Sequence, residues 1–240
     1  MKGFAYTRPW VLINDKPSYG VNGLIVTSLP PITKPKMRYS SEEIDGRDGD
    51  IITTLGYQAY DKTLSIGLHG DFDIDKVVEF FATSGTVAFS NEPDKIYRFQ
   101  QLDSIDFDRL VRYRTADIKL HVQPFKTGRL QRPKVFTSAD AQAVVTNAGN
   151  VAAAPKLTIK ASGNIGIYLD GSQIISVTNT GGYTLIVDVA NLEASTPEGL
   201  LMNRAITGDY QRLTLNPGKH SIKWSGTVHS LTIEDYSRWI

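Results

Sequence analysis

The chain of 240 residues contains no cysteine, which excludes disulfides and thiolate-ligated metal sites. That absence does not fix a compartment, because a disulfide-free fold persists inside a cell or outside it. Histidine is scarce: His69, His121, His220 and His229 are the four, and none stands two or four residues from another. Such scatter gives no metal-ligand spacing. His69 and His121 end candidate strands and His220 and His229 lie near turns, where solvated or structural roles are commoner than catalytic ones. An excess of charge is missing too. Lys+Arg 26 against Asp+Glu 25 leaves +1, so electrostatics supply no reason to expect DNA or an anionic membrane as the main partner.

Long apolar runs are absent as well; none approaches the roughly 18 residues that span a bilayer. The opening MKGFAYTRPW has a lysine but no apolar stretch after it, so no signal peptide is expected, and exit from a cell would need lysis or a dedicated route. There is no phosphate loop, nucleophile elbow or dinucleotide fingerprint. Any two of the 25 carboxylates might meet as a glycosidase pair, but no spacing singles one out. Asp71-x-Asp73-x-Asp75 opens like a calcium loop, yet Lys76 stands where glycine is required and Ala82 where a bidentate glutamate belongs. These absences predict a protein that is not an enzyme and has no metal or cofactor.

What is present favours strands. Eleven tyrosines and nine phenylalanines accompany many Val, Ile and Thr, and 20 glycines and 11 prolines supply turns. One stretch reads as helix: Ile74, Val77, Val78 and Phe81 recur at i, i+3, i+4, i+7, behind Asp71, Asp73 and Asp75 as caps and first-turn charge, with Gly85 expected at C′. Around it DKTLSIGLH alternates Leu64, Ile66 and Leu68, and TVAFS, IYRFQQL and RLVRYRTADIKLHVQPF read as strands. Asp103, Asp106 and Asp108 read as turn residues between the last two. Residues 30–50, rich in Pro, Gly and charge, read as an excursion from the core, either a loop or an extended hairpin arm.

A basic, aperiodic stretch, KTGRLQRP at 126–133, marks a boundary. The expected division is residues 1–128, a linker at 129–133, and residues 134–240. The first part carries 16 Lys+Arg and 17 Asp+Glu, the remainder 10 and 8. Dense mixed charge is what a solvated face shows, and also what a paired subunit interface needs. In the second part KLTIKA, NIGIYLDGSQII, YTLIVDV, RLTLNPGKHSIKW and SLTIEDY are strands, with tight turns at Asp170-Gly171 and Asn216-Pro217-Gly218. Strands at this spacing predict a sandwich or jelly roll. Its aromatics are Tyr168, Tyr183, Tyr210, Trp224, Tyr236 and Trp239. Trp224 follows Ile222 at period two and is expected in the core; exposed rings among the others would suit stacking on sugars.

Several segments together resemble the distal tail protein (Dit) family of those siphophages that infect mainly Gram-positive bacteria. In the first part they are MKGF, IDGRDGDI at 44–51 and SGTVAFSNEPDKIYRF at 84–99. In the second they are TNAGNVAAAPKLTIKASG at 146–163, TGDYQRLTLNPGKHSIKWSGTV at 207–228 and the terminal SRWI. They cover nearly the whole chain in order; Gln211-Arg212 departs from the family's aromatic-proline step. The resemblance implies a mainly β chain: an N-terminal ring-forming domain with one short helix and a projecting arm, and a galectin-like or jelly-roll C-terminal β-sandwich. It implies a structural virion protein, a hexameric hub ring at the tail tip, assembled in the host bacterial cytoplasm. Its partners would be its own copies, the major tail tube protein, a tail-associated protein and, in some phages, a receptor-binding protein. DNA would pass through the lumen without specific binding, and no membrane is involved. The arm corresponds to residues 30–50, whose charged Arg38, Glu42, Asp45, Arg47 and Asp48 are the candidate interface residues. The alternative is a carbohydrate-binding module recognising host cell-wall saccharides, with Tyr168, Tyr183 and Tyr210 as candidate sugar contacts.

Overall fold

A computed structural model describes residues 8–100, 105–140, 142–179 and 181–240 and, at residue 108, the backbone alone. The β-branched and aromatic runs form antiparallel strands and the chain is mainly β. Its contacts divide it into two units, residues up to Arg129 with Ile240, and Leu130–Trp239. The opening MKGF and Asp103 lie outside the described residues.

The first unit contains β1 (Val11–Ile13), β2 (Lys16–Pro17), β3 (Leu24–Ser28), β4 (Met37–Glu43), β5 (Asp50–Tyr57), β6 (Tyr60–Leu68), α1 (Ile74–Phe81), β7 (Gly85–Phe89), β8 (Lys95–Gln100), α2 (Phe107–Tyr113) and β9 (Thr115–Gly128). One sheet runs in the order β2-β1-β7-β8-β9-β6-β3. Its organising element is β9, whose inward residues Ala116, Ile118, Leu120 and Val122 alternate with exposed ones, as period two demands. Leu64 and Ile66 of β6 lie opposite Ile118 and Ala116 and are buried with them. Val77, Phe80 and Phe81 of α1 and Leu110 of α2 close over this layer. Two strands take no part in it: β4 and β5 form a separate two-stranded sheet.

Helix α1 starts where the acidic run places it, with Asp73 Oδ1 accepting from the backbone N–H groups of Asp75 and Lys76. Its end corrects the expectation at Gly85. The helix stops at Phe81 with Ala82 as cap, and Gly85, at φ 143°, begins β7 instead. There a Cβ would meet the side chain of Asn14, whose Oδ1 accepts from Thr86 N–H at 2.9 Å. Helix α2 is the second correction. Asp106 is not a hairpin turn residue but its N-cap, accepting from Arg109 N–H at 2.9 Å, and Arg114 ends the helix in the left-handed region.

The second unit contains β10 (Lys134–Thr137), β11 (Ala143–Asn147), β12 (Lys156–Leu169), β13 (Ser172–Val177), β14 (Gly182–Asp188), β15 (Glu193–Ser195), β16 (Ile206–Gly208) and β17 (Gly218–Glu234). Two long strands carry it. The first half of β12 pairs with β14 and its second half with β13, while β17 runs beside it for its whole length and also takes β11 at one end and β10 at the other. Both bend midway, where the register shifts and Gly163 and Gly226 have positive φ. At Gly226 a side chain is impossible, since a Cβ would lie 2.2 Å from Asn164 O. The bend curls the sheet over a core of Leu157, Ile159, Ile167, Val187, Leu231 and Ile233. Asp170 and Gly171 form the expected two-residue turn, both at positive φ.

Two expectations change here. KLTIKA and NIGIYL are one bent strand, as are KHSIKW and SLTIED. The proposed hairpin around Asn216-Pro217-Gly218 does not form, because Tyr210–Leu213 is a 3-10 turn and Leu215 bridges to Ala153.

Candidate assembly interface

The hairpin β4–β5 is the part of the first unit that its core does not explain. In its register Tyr39 lies opposite Thr54 and Ser41 opposite Ile52, while Glu42 lies opposite Ile51 and Ser40 opposite Thr53. Directly opposed residues share a face, so Tyr39 and Ile52 mark one face and Ile51 the other. Both faces are exposed along the hairpin, with Ile52 at 60% and Leu55 at 54%. Each strand has only the other as its partner, so both outer edges also carry unpaired backbone groups among the described residues. At the tip Gly46 and Gly49 adopt positive φ, and Ser41 Oγ donates to the Asp50 carboxylate. An isolated two-stranded ribbon that leaves Tyr39, Ile44, Ile51, Ile52 and Leu55 exposed has the makings of an interaction surface.

The root of this arm is tied down. Lys62 sits in β6 on the inward phase of Leu64 and Ile66 and is 3% exposed. Its ammonium donates to Pro31 O at 2.8 Å and lies 4.9 Å from the centre of the Tyr97 ring, with Tyr60 and Phe89 beside it. Asn91 Nδ2 donates to Pro30 O at 2.9 Å, and the Tyr60 hydroxyl to Thr33 O at 3.4 Å. Three side chains thus hold the Pro30–Thr33 approach to the arm. Behind them Glu92 accepts from Lys126 Nζ at 2.8 Å and from the Tyr97 hydroxyl. The returning side is fixed by Gln58 N–H donating to Lys36 O at 2.8 Å and by Tyr57 packed edge-on against Phe125.

Burial is the main electrostatic influence on this nest. It lowers the Lys62 ammonium to about 8, with Lys126 adding in the same direction and Glu92 opposing. It raises Tyr60 and Tyr97, Glu92 acting in the same sense. Asn91, Glu92 and Tyr97 all come from the segment SNEPDKIYRF, so that motif works as a clamp on the arm's root.

The five charged candidates all fall on the arm. Arg38 and Glu42 are on β4, and Asp45, Arg47 and Asp48 are in the tip between the strands. Arg38 reaches back across the ribbon to donate to Leu55 O at 3.2 Å. Sequence reasoning did not single out Tyr39, Ile51, Ile52 and Leu55, nor the clamp. The three tyrosines are not brought together. Tyr168 lies on β12; Tyr183, on β14, donates to Gly163 O at 3.1 Å; Tyr210, in the 3-10 turn, lies 3.3 Å from Asn203 Oδ1. Tyr183 and Tyr210 pack against the core of the second unit, as does Trp224.

Three histidines are tied to neighbours: His121 to Asp61 at 2.7 Å, His220 to Asp170 and to Asn216 O, each at 2.7 Å, and His229 to Ser162 at 3.0 Å. Among the described residues no three His, Asp or Glu side chains converge as a metal-binding group, and no helix is long and apolar enough to cross a membrane. In TNAGN, Asn147 is a buried tie. Its Nδ2 donates to Val151 O and Leu215 O, both at 2.8 Å, and Gly149 leaves no room for a Cβ beneath Arg238.

No family model and no curated protein matches the sequence. The structure does have a solved counterpart. Dit (gp 19.1) of phage SPP1, described as a paradigm of the hub adsorption apparatus in phages infecting Gram-positive bacteria, superposes with a TM-score of 0.65. The match covers 98% of this chain and 100% of that one at 16% sequence identity. The chain therefore has a Dit-like fold.

Proposed function

We propose that this chain is a structural subunit of a phage tail tip, a distal tail protein whose copies close into a hub ring. The observation that carries the reading is the likeness to Dit of SPP1 over both units, end to end and not over one module. The arm gives it a physical basis. A ring is a closed heterologous assembly, so each subunit must present two different surfaces that fit one another. An anchored ribbon with apolar side chains on both faces is suited to be one of them. On this reading six copies form the ring, its upper side meets the tail tube, its lower side meets tail-tip proteins, and DNA passes through the lumen. A near-neutral subunit suits such a passage, because a cationic wall would hold DNA through counterion release. The protein would act in the virion after assembly in the host cytoplasm, by joining parts and not by catalysis.

The test is removal of residues 32–50 with a short Gly-Ser bridge in their place. The reading expects the variant to lose no strand content beyond that of β4 and β5, and to lose the assembled mass seen by light scattering for the full chain. An unchanged assembled mass overturns it.

A further inference from the structure

The hub reading requires a surface that receives the arm, and we infer that this surface is the arginine face of α2 on a second copy of the chain. Three observations meet here. First, α2 has a face that its own unit leaves uncovered. Leu110 is fully buried, whereas Arg109, Arg112 and Tyr113, at i, i+3 and i+4, share an exposed face, with Tyr113 at 65% exposure. Together with Asp106 and Thr115 these three line an open cavity of about 770 Å³. The Asp106 carboxylate is engaged in capping.

Second, the arm is complementary in charge and in apolarity. Its tip, residues 42–50, carries Glu42, Glu43, Asp45, Asp48 and Asp50 against the single Arg47. Ile44 is exposed within it and Ile51 directly after it, to set against Tyr113. Arginine on carboxylate gives register, and the apolar contacts give the desolvated centre.

Third, the topology separates the two surfaces within one copy. The arm leads into β6 at Tyr60, opposite Val122, while α2 leads into β9 at Thr115, opposite Gly67. The roots of arm and helix therefore stand at opposite ends of the β6–β9 ladder, roughly 23 Å apart at about 3.3 Å per residue. Surfaces at opposite ends of a subunit are what a head-to-tail ring needs, each copy giving its arm to one neighbour and receiving one from the other.

This inference rests on the hub reading, and the test separates the two. The chain lacks cysteine, so single thiols can be placed on a clean background. Glu42→Cys chain mixed with Arg112→Cys chain and a short bismaleimide should give cross-linked dimer about tenfold above a mixture of Glu42→Cys with Lys160→Cys, an exposed control position in the second unit. Dimer at the control level overturns the inference. Independently, the full chain carrying Arg109→Glu and Arg112→Glu should self-associate about tenfold more weakly or worse. Mixing it with chain carrying Glu42→Lys and Asp45→Lys should restore part of the loss. If the arm deletion lowers the assembled mass while the arginine reversals leave it unchanged, the arm seats elsewhere: this inference falls and the hub reading stands. If the arm deletion itself changes nothing, both fall.

Discussion

The arm β4–β5 and the ladder β6–β9 are both antiparallel, and only Gln58 and Ala59 separate β5 from β6. Both contain isoleucine, leucine, tyrosine and threonine. In the ladder Leu64, Ile66, Ile118 and Leu120 are fully buried; in the arm Ile51, Ile52 and Leu55 are exposed. The same side chains therefore stabilise this unit in one place and contribute nothing of the kind in the other. Apolar residues held in water on an anchored ribbon are a cost unless something covers them.

Truncating both regions should separate them most strongly. Leu64→Ala or Ile118→Ala should cost about 2–5 kcal/mol in chemical denaturation of the first unit, from lost burial and the cavity left behind. Ile52→Ser should stay within about 0.5 kcal/mol while weakening self-association measured by sedimentation. If Ile52→Ser cost as much as Leu64→Ala, the arm would be part of the core and the comparison would collapse.

The clamp between the two regions gives a smaller effect. Lys62→Met removes a charged donor to Pro31 O, worth about 1.5–3 kcal/mol of local order. Proteolysis within residues 30–58 should accelerate. The same lysine carries a pH signature. Its folded value of about 8 lies below the ordinary 10.5. Between the two the unfolded chain binds more protons, so this group's contribution to stability rises with pH from about 8 to 10. Lys62→Met should flatten that rise in a series of melting curves.

The smallest effect belongs to the second unit. Burial works against a charged ring at His220, but hydrogen bonds to Asp170 and to Asn216 O, each 2.7 Å, more than offset it, so its pKa is raised. Both ring nitrogens face acceptors, and the ring satisfies both when protonated. A raised folded pKa means stability fully present below the ordinary value of about 6.5 and lost as pH climbs through the folded one. His220→Asn should remove that decline from melting curves between pH 6 and 8; an unchanged slope would place it in another group.

Much of this was readable from the chain. Helix α1 follows from one face of Ile74, Val77, Val78 and Phe81 behind Asp73, and the turn at Asp170-Gly171 from its two residues. Helix α2 is hidden because it is only seven residues long, and an aspartate-rich approach looks like a turn as readily as a cap. The bent strands β12 and β17 read as pairs because glycines interrupt their alternation at Gly163 and Gly226. The arm declares itself by proline and charge at 30–50, but its strands do not, since Ile51-Ile52 and Thr53-Thr54 repeat where a half-buried strand would alternate. Only the absence of a covered face makes that pattern sensible. The clamp did leave a trace: Lys62 stands in phase with Leu64, Ile66 and Leu68, a lysine where the pattern calls for an apolar residue, and such a residue must find a buried partner.

On the proposed reading the chain closes a ring through its arm. Native mass spectrometry of the full chain over a range of concentrations, with negative-stain images of the same sample, tests it most directly. A discrete closed ring, six copies in number, is the expected largest species. Monomers alone at every concentration would contradict it.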